Sequence, residues 1–355
     1  MKLLNLFLLM LILSFNLHGQ KNTLENDITN YAKEKGFSGT ILIQKDDSII
    51  YHKSFGLANR QFNIPNNNET RYHIASITKL FTSVLILHLH EAGKIDLNQP
   101  IKTYLPDYKG EGVETVTIHH LLTHTSGIKN CEEIGPDVEI YRMPNTIDNI
   151  VTKYCSGELT FQPGTRFSYN NGEYILLGKI IEMIYNKPYE QVLAEKLLEP
   201  LNMKNSGMID HSKIIKNLAC AYLFDNETQE YKNNPPFNIE NYFASGAMYS
   251  TTTDLLKFSN ALYGGKILNE NSVKLLLQTT PVTENYGYGL WIYSIKIKNK
   301  ELKAAYRPGG CMGTNTLLNY YLNEGLTIVI LANTNKILNQ DVKNFNQVIT
   351  ELIMK

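Results

Sequence analysis

The chain has no surplus of charge: 34 basic and 34 acidic side chains cancel over 355 residues, and no run of like charge forms a polyanion-binding tail or a membrane-adhering patch. Nucleic acid is therefore not an expected partner. Cysteine is scarce as well. Cys131, Cys155, Cys220 and Cys311 stand far apart, with no CxxC pair and no zinc framework, and four cysteines leave three pairings open. A GxSxG elbow is missing, which argues against an α/β-hydrolase. No internal repeat or low-complexity linker splits off a second domain. Long hydrophobic runs are missing too, with one exception: in MKLLNLFLLMLILSFNLHGQ a lysine precedes an apolar stretch from Leu3 to Leu17, and Gly19 offers a small residue for cleavage. This predicts a secretory signal over residues 1–19. The run is short for a span of about 20 residues, so a membrane is expected only through an uncleaved signal segment, and the expected location is periplasmic or secreted.

The remainder, 20–355, is long enough for one large domain with a sizeable core. Asn22 to Lys35 reads as a helix, followed by two strand-like runs, Thr40 to Gln44 and Ile49 to Phe55, around the turn Asp46-Asp47-Ser48. From about 100 to 246 the periodicity is mostly helical, broken by Pro and Gly. The segments YGYGLWIYSIKI, ELKAAYR, TNTLLNYYL and LTIVILANT then read as successive strands, and Asn339 to Met354 as a closing helix. The expected fold is mixed α/β (α+β). A mostly antiparallel sheet combines N- and C-terminal strands and is flanked by the terminal helices, with a central, mainly helical lobe and a site in the cleft between.

The stretch HIASITKLFTSV carries the candidate chemistry. Ile77, Leu80, Phe81, Val84 and Leu85 form a helical apolar stripe, and Ser76 and Lys79 lie together on another face. At a helix N-terminus Ser76 meets free N–H groups and the positive end of the dipole. A partly desolvated Lys79 amine has a lowered pKa and can take the serine proton. The spacing alone is weak, since a helix-capping serine with a solvated lysine has the same signature and Ser126 to Lys129 repeats it in a loop. A second element, FQPGTRFSYNNGEYILLGKIIEMI, places Tyr169 and Asn171 in a turn before an apolar helix. Tyr-x-Asn also occurs at Tyr231/Asn233 and Tyr321/Asn323, so context decides. Beside a lysine ammonium, a tyrosine loses its proton more readily and can share acid/base work.

With those residues in view, the chain resembles the serine β-lactamase and penicillin-binding-protein superfamily, in its class C β-lactamase-like branch, from about Ser38 to Asn333. Further landmarks are GLANRQFNIPNNNETRYHIASITK, VTIHHLLTHTSGI and SGAMYSTTTDLLKF. The resemblance implies acyl-enzyme chemistry, with Ser76 as nucleophile, Lys79 and Tyr169 as the proton-transferring pair, and Asn171 bonding the substrate amide or Lys79. It also implies oxyanion donors at the backbone N–H groups of Ser76 and Gly310. The family's Lys-Thr-Gly or His-x-Gly triplet is replaced here by Arg307-Pro308-Gly309. Arg307 keeps a charge that could meet a substrate carboxylate, whereas Pro308 supplies neither hydroxyl nor N–H.

His120 and His124 have i, i+4 spacing, but no HExxH or nearby carboxylate completes a site, so no metal is expected. No organic cofactor is expected either. The leading expectation is an exported serine hydrolase acting on a small-molecule or peptide substrate, cell-wall peptide included. Within that chemistry the candidates are a β-lactamase, a D-alanyl-D-alanine carboxypeptidase or an esterase. The alternative is a non-catalytic module that keeps the fold and holds a peptide or cell-wall fragment in its cleft. Selectivity in such a fold depends on loop shape, and the sequence leaves the substrate open.

Overall fold

The computed structural model describes residues 23–130, 139–337 and 342–355. The expected signal segment, Cys131 and the first residues of the expected closing helix lie outside them. Helix α1, residues 23–34, leads into strand β1, Gly39–Lys45, and its hairpin partner β2, Ser48–Phe55. The turn between them places Asp46 at φ 52°, a left-handed conformation that Asp tolerates better than most residues. Near the other end come β3, Trp291–Ile297, β4, Lys300–Cys311, β5, Thr314–Tyr321, and β6, Leu326–Ala332. The six strands form one antiparallel sheet in the order β3-β4-β5-β6-β1-β2. Its register brings Gly39 opposite Ala332, so the N-terminal hairpin completes the C-terminal meander.

Both faces of this sheet are covered, which explains why its central strands are almost continuously apolar. Along β1, Ile41 and Ile43 join a core with Phe345 and Ile349 of the last helix, α5, Val342–Ile353. Leu42, pointing the other way, joins the larger core shared with the helices. This is the period-2 alternation of a strand read out as two hydrophobic layers. The aromatic rings of Tyr31 and Phe37 stack on Phe345 at 5.0 and 5.5 Å and tie α1 to α5.

Three helices bear on the site: α2, Thr78–Glu91, α3, Asn171–Tyr185, and α4, Thr252–Tyr263. The apolar stripe of α2 is buried as expected, and so is its opposite face, including Lys79, Thr82 and Ser83. The sheet side and α4 cover one face, with Phe81 stacked on Phe258 at 3.9 Å. The other face is covered by α3 and the segment Ile239–Ser245. Residues 100–246 hold α3 and several shorter helices, together with a small hairpin, Tyr222–Asp225 with Glu230–Asn233. Among the described residues, no helix is long and apolar enough to cross a membrane, and no two cysteines are joined.

Candidate active site

Ser76 sits in a single turn of 3-10 helix, Ala75–Ile77, that runs directly into α2. The preceding residue, Ala75, is buried and has φ 46°, a left-handed conformation costing about 1–2 kcal/mol for a residue with a Cβ. Its surroundings hold it there. Thr78 donates its hydroxyl to the Ala75 carbonyl at 2.7 Å, and the Ile74 N–H is fixed on Met248 O at 3.0 Å. The bend delivers the Ser76 side chain to the floor of the cleft while its backbone stays at the helix start.

Lys79, three residues on, has no solvent exposure. Its ammonium donates to Ser76 Oγ at 3.3 Å, to Asn171 Oδ1, and to the Ser245 carbonyl at 2.8 Å. A helix-capping serine with a solvated lysine is thus not what the fold contains: no side chain caps the turn or α2, and Lys79 is buried. The Ser245 carbonyl is aimed inward by a second strained residue, Phe243, at φ 45° and ψ −129°. Gly178 in α3 makes that approach possible: a Cβ there would lie 2.4 Å from Ala244 Cβ and 2.6 Å from the Phe243 ring.

Tyr169 stands just before α3, whose start is capped by Asn170, with its side chain accepting from the Gly172 N–H at 2.8 Å. The Tyr169 hydroxyl donates to Ser76 Oγ at 2.9 Å. Ser76 Oγ therefore lies between a phenol and an ammonium. Burial alone would push the Tyr169 phenol up. The Arg307 guanidinium and the Lys79 ammonium more than reverse this and bring it down to about 8.

The third side of the cleft is β4, which extends four residues beyond the expected ELKAAYR strand, through Pro308, Gly309 and Gly310 to Cys311. Its partner β3 begins at Trp291, opposite Tyr306, so from Arg307 onward one edge of β4 is open toward the Ser76 turn. Pro308 is tolerated there because a strand edge without a partner needs no N–H at that position. Backbone groups two residues apart point the same way, so the Gly310 N–H shares the open edge. Gly309 is a close-approach residue: a Cβ would lie 2.4 Å from both the Ile74 carbonyl and Thr316 Oγ1.

Arg307 is where the outcome departs most from expectation. Its side chain is 1% exposed and points into the protein. Nε donates to the Ser76 carbonyl at 2.6 Å, Nη2 to the Tyr169 hydroxyl at 2.9 Å and Nη1 to the Tyr286 hydroxyl at 3.2 Å. Behind it lies a buried layer that sequence reasoning did not assemble. Tyr286 is 3.1 Å from His124 Nε2, and His124 Nδ1 pairs with Glu173. Burial holds the Glu173 carboxyl well above the usual carboxylate range and the His124 imidazole well below its own, so the pair shares one proton with no net charge. His124 thus has a carboxylate partner after all, 49 positions away in the chain, and spacing alone gave no signal of it. Of the other histidines, His120 closes a capping box with Thr117 and His119 bonds the Tyr288 hydroxyl at 2.8 Å.

Ser76 and Tyr169 separate two hollows. One, of about 190 Å³, is bordered by Asn171, Tyr242, Gly310 and Cys311. The other, of about 320 Å³, is bordered by Trp291, Tyr306, Pro308 and Asn315. A carbonyl lying over Ser76 can place one substituent in each. The family profile described as Beta-lactamase matches residues 24–349.

The chain belongs to the beta-lactamase family. PbpX of Bacillus subtilis is 30% identical over 306 residues, covering 86% of this chain and 72% of that protein. The crystal structure of a penicillin binding protein from Bacillus halodurans superposes with a TM-score of 0.76 at 28% identity, over 88% of this chain and 97% of that one. D-amino acid amidase from Ochrobactrum anthropi shares the fold, with a TM-score of 0.79 at 22% identity over 94% of this chain and 99% of its own. The mixed antiparallel sheet and flanking helices are therefore those of the beta-lactamase family, and its penicillin-binding-protein-like relatives have the same architecture.

Proposed function

We propose that this protein is a serine hydrolase that forms an acyl-enzyme at Ser76 on an amide, peptide or ester. The observation that carries the reading is the position of Ser76 Oγ, 2.9 Å from a Tyr169 phenol brought down to about 8 and 3.3 Å from a fully buried Lys79 ammonium. In the reactive form Tyr169 is a phenolate. It takes the Ser76 proton as Oγ attacks the substrate carbonyl, and the oxyanion that forms is met by the backbone N–H groups of Ser76 and Gly310. Tyr169 then returns the proton to the departing amine or alcohol, leaving the acyl group on Oγ. Water deprotonated by Tyr169 releases the acid and restores the serine. Lys79, held by Asn171 and Ser245, stabilises the phenolate throughout.

The N-terminal apolar run and Gly19 support export, and a substrate met outside the cytoplasm, cell-wall peptide included, fits that route. A non-catalytic binding module has no need of Ser76, Lys79 and Tyr169 arranged in this way. Intact-protein mass after exposure to a fluorophosphonate tests the proposal. One phosphonyl adduct is expected on the unmodified protein and none on Ser76→Ala, which loses only the hydroxyl that accepts from Tyr169 and Lys79 and no capping bond of the turn. Equal labelling of both proteins would remove Ser76 from the reaction.

A further inference from the structure

We infer that the substrate carries no free carboxylate beside its scissile carbonyl, so that the enzyme prefers neutral esters or amides to anionic ones. This deepens the acyl-enzyme reading of Ser76 and rests on it.

Among the described residues, the cations beside Ser76 are Lys79 and Arg307, and both donate to protein oxygens. Each of the three guanidinium nitrogens of Arg307 already donates to a protein oxygen: Nε to Ser76 O, Nη1 to Tyr286 and Nη2 to Tyr169. Its remaining surroundings are aromatic, with the guanidinium carbon 5.1 Å from the Trp291 ring and 5.8 Å from the Tyr169 ring. A carboxylate is recognised strongly when it meets two parallel N–H donors on one edge of a guanidinium. Three of the five N–H groups of Arg307 are used, but with the side chain 1% exposed Arg307 would have to move to turn either edge to a ligand, and moving releases the Tyr169 hydroxyl or the Ser76 carbonyl. The first loss removes the largest influence holding the phenol down, and the second loosens the turn that carries the nucleophile. Recognition of an anion would therefore oppose the chemistry it is meant to serve.

The neighbouring positions do not supply a substitute. Pro308 has neither hydroxyl nor N–H, and the Thr316 hydroxyl is committed to the Ile74 and Gly309 carbonyls at 3.0 and 3.2 Å. Asn315 is 1% exposed. The 320 Å³ hollow is bordered by the half-buried Trp291 ring and by Arg307 itself, whose guanidinium donors are turned to protein oxygens; the indole is a surface suited to uncharged, partly apolar groups. Arg307 thus acts through Tyr169 as a positioning residue.

The test uses a matched pair of thioesters, an acylglycyl ester of mercaptoacetic acid with its carboxylate free and the same compound as its methyl ester. Each kcat/KM is divided by that compound's rate of hydroxide hydrolysis. The methyl ester should be favoured by about tenfold or more. Arg307→Lys should slow both substrates together, leave their ratio within about twofold, and move the rising limb of the kcat/KM profile to higher pH, since a lysine cannot reproduce the three-way fork. A preference for the free acid that disappears in Arg307→Lys would overturn the inference while leaving Ser76 as the nucleophile. Absence of fluorophosphonate labelling at Ser76 would overturn the parent reading, and this inference with it.

Discussion

Lys79 has no surface exposed to solvent, yet it is one of three charged or readily charged groups packed about a single serine. At this scale the site is a problem in charge balance. An ammonium and a guanidinium buried together repel unless an anion lies between them, and Tyr169, bonded to Arg307 and 4.9 Å from Lys79 Nζ at its ring centroid, is the group placed to become that anion. The buried His124–Glu173 pair adds no net charge and leaves that balance intact. Its contribution is to hold shape. Glu173 accepts from the Ser126 N–H at 3.3 Å and bonds His124, whose ring packs 4.4 Å from that of Tyr169. Glu173→Leu strands two buried polar groups and should cost about 2–4 kcal/mol, whereas Glu173→Gln keeps an acceptor for Ser126 and should cost less than half of that. Urea unfolding of both variants checks this, and a Leu variant as stable as its parent would contradict it. Of these residues, Ser76, Lys79 and Tyr169 were legible in the sequence only by helical spacing and a Pro-Gly turn taken together with the family resemblance, since the spacings alone recur elsewhere in the chain. Glu173, Tyr286 and the inward turn of Arg307 were not, because each depends on a contact between distant segments.

At the scale of elements, the cleft exists because β4 approaches the Ser76 turn closely, and Gly309 is what permits it. Gly309→Ala would place a methyl 2.4 Å from the Ile74 carbonyl and Thr316 Oγ1, so β4 or the turn must shift. The expected cost in stability is about 1–3 kcal/mol, typical of overpacking. The expected loss in kcat/KM is larger, about a hundredfold, because an ångström of misplacement at reacting atoms has that effect. Gly310→Ala is the contrast: its new methyl would find the nearest neighbour 3.7 Å away, and the variant should melt with the parent. Steady-state kinetics beside thermal melts of the two variants separate these outcomes, and equal activity losses would refute the close-approach argument. The sequence showed a strand only as far as Arg307 because Pro-Gly-Gly normally ends one. The strand continues because its far side pairs with β5, with Pro308 opposite Leu317, while its near side needs no partner.

For the whole molecule, the chain's ends and middle are locked at one point. Asn333 accepts from the Ser38 hydroxyl at 2.9 Å and donates to the Leu57 and Cys220 carbonyls at 2.9 and 2.8 Å, joining the N-terminal hairpin, the central lobe and the last sheet strand. That closure puts Ser76, Tyr169 and Arg307 into one cleft although they come from three separated stretches. Alternating apolar strands at both ends made the sheet legible from sequence. The burial of α2 on every side was not, because the cover comes from α3 and a strained loop whose path has no periodicity. The central claim, that this assembly makes Tyr169 the base for Ser76, is tested most directly by the pH dependence of the second-order rate of Ser76 acylation by a neutral activated ester. Tyr169 acts deprotonated, so the rate should rise about tenfold per pH unit below a midpoint near 8 and level off above it. In Tyr169→Phe the rate should fall at least about a hundredfold and the limb near 8 should vanish. A Tyr169→Phe enzyme that keeps the same midpoint and plateau rate would contradict the account.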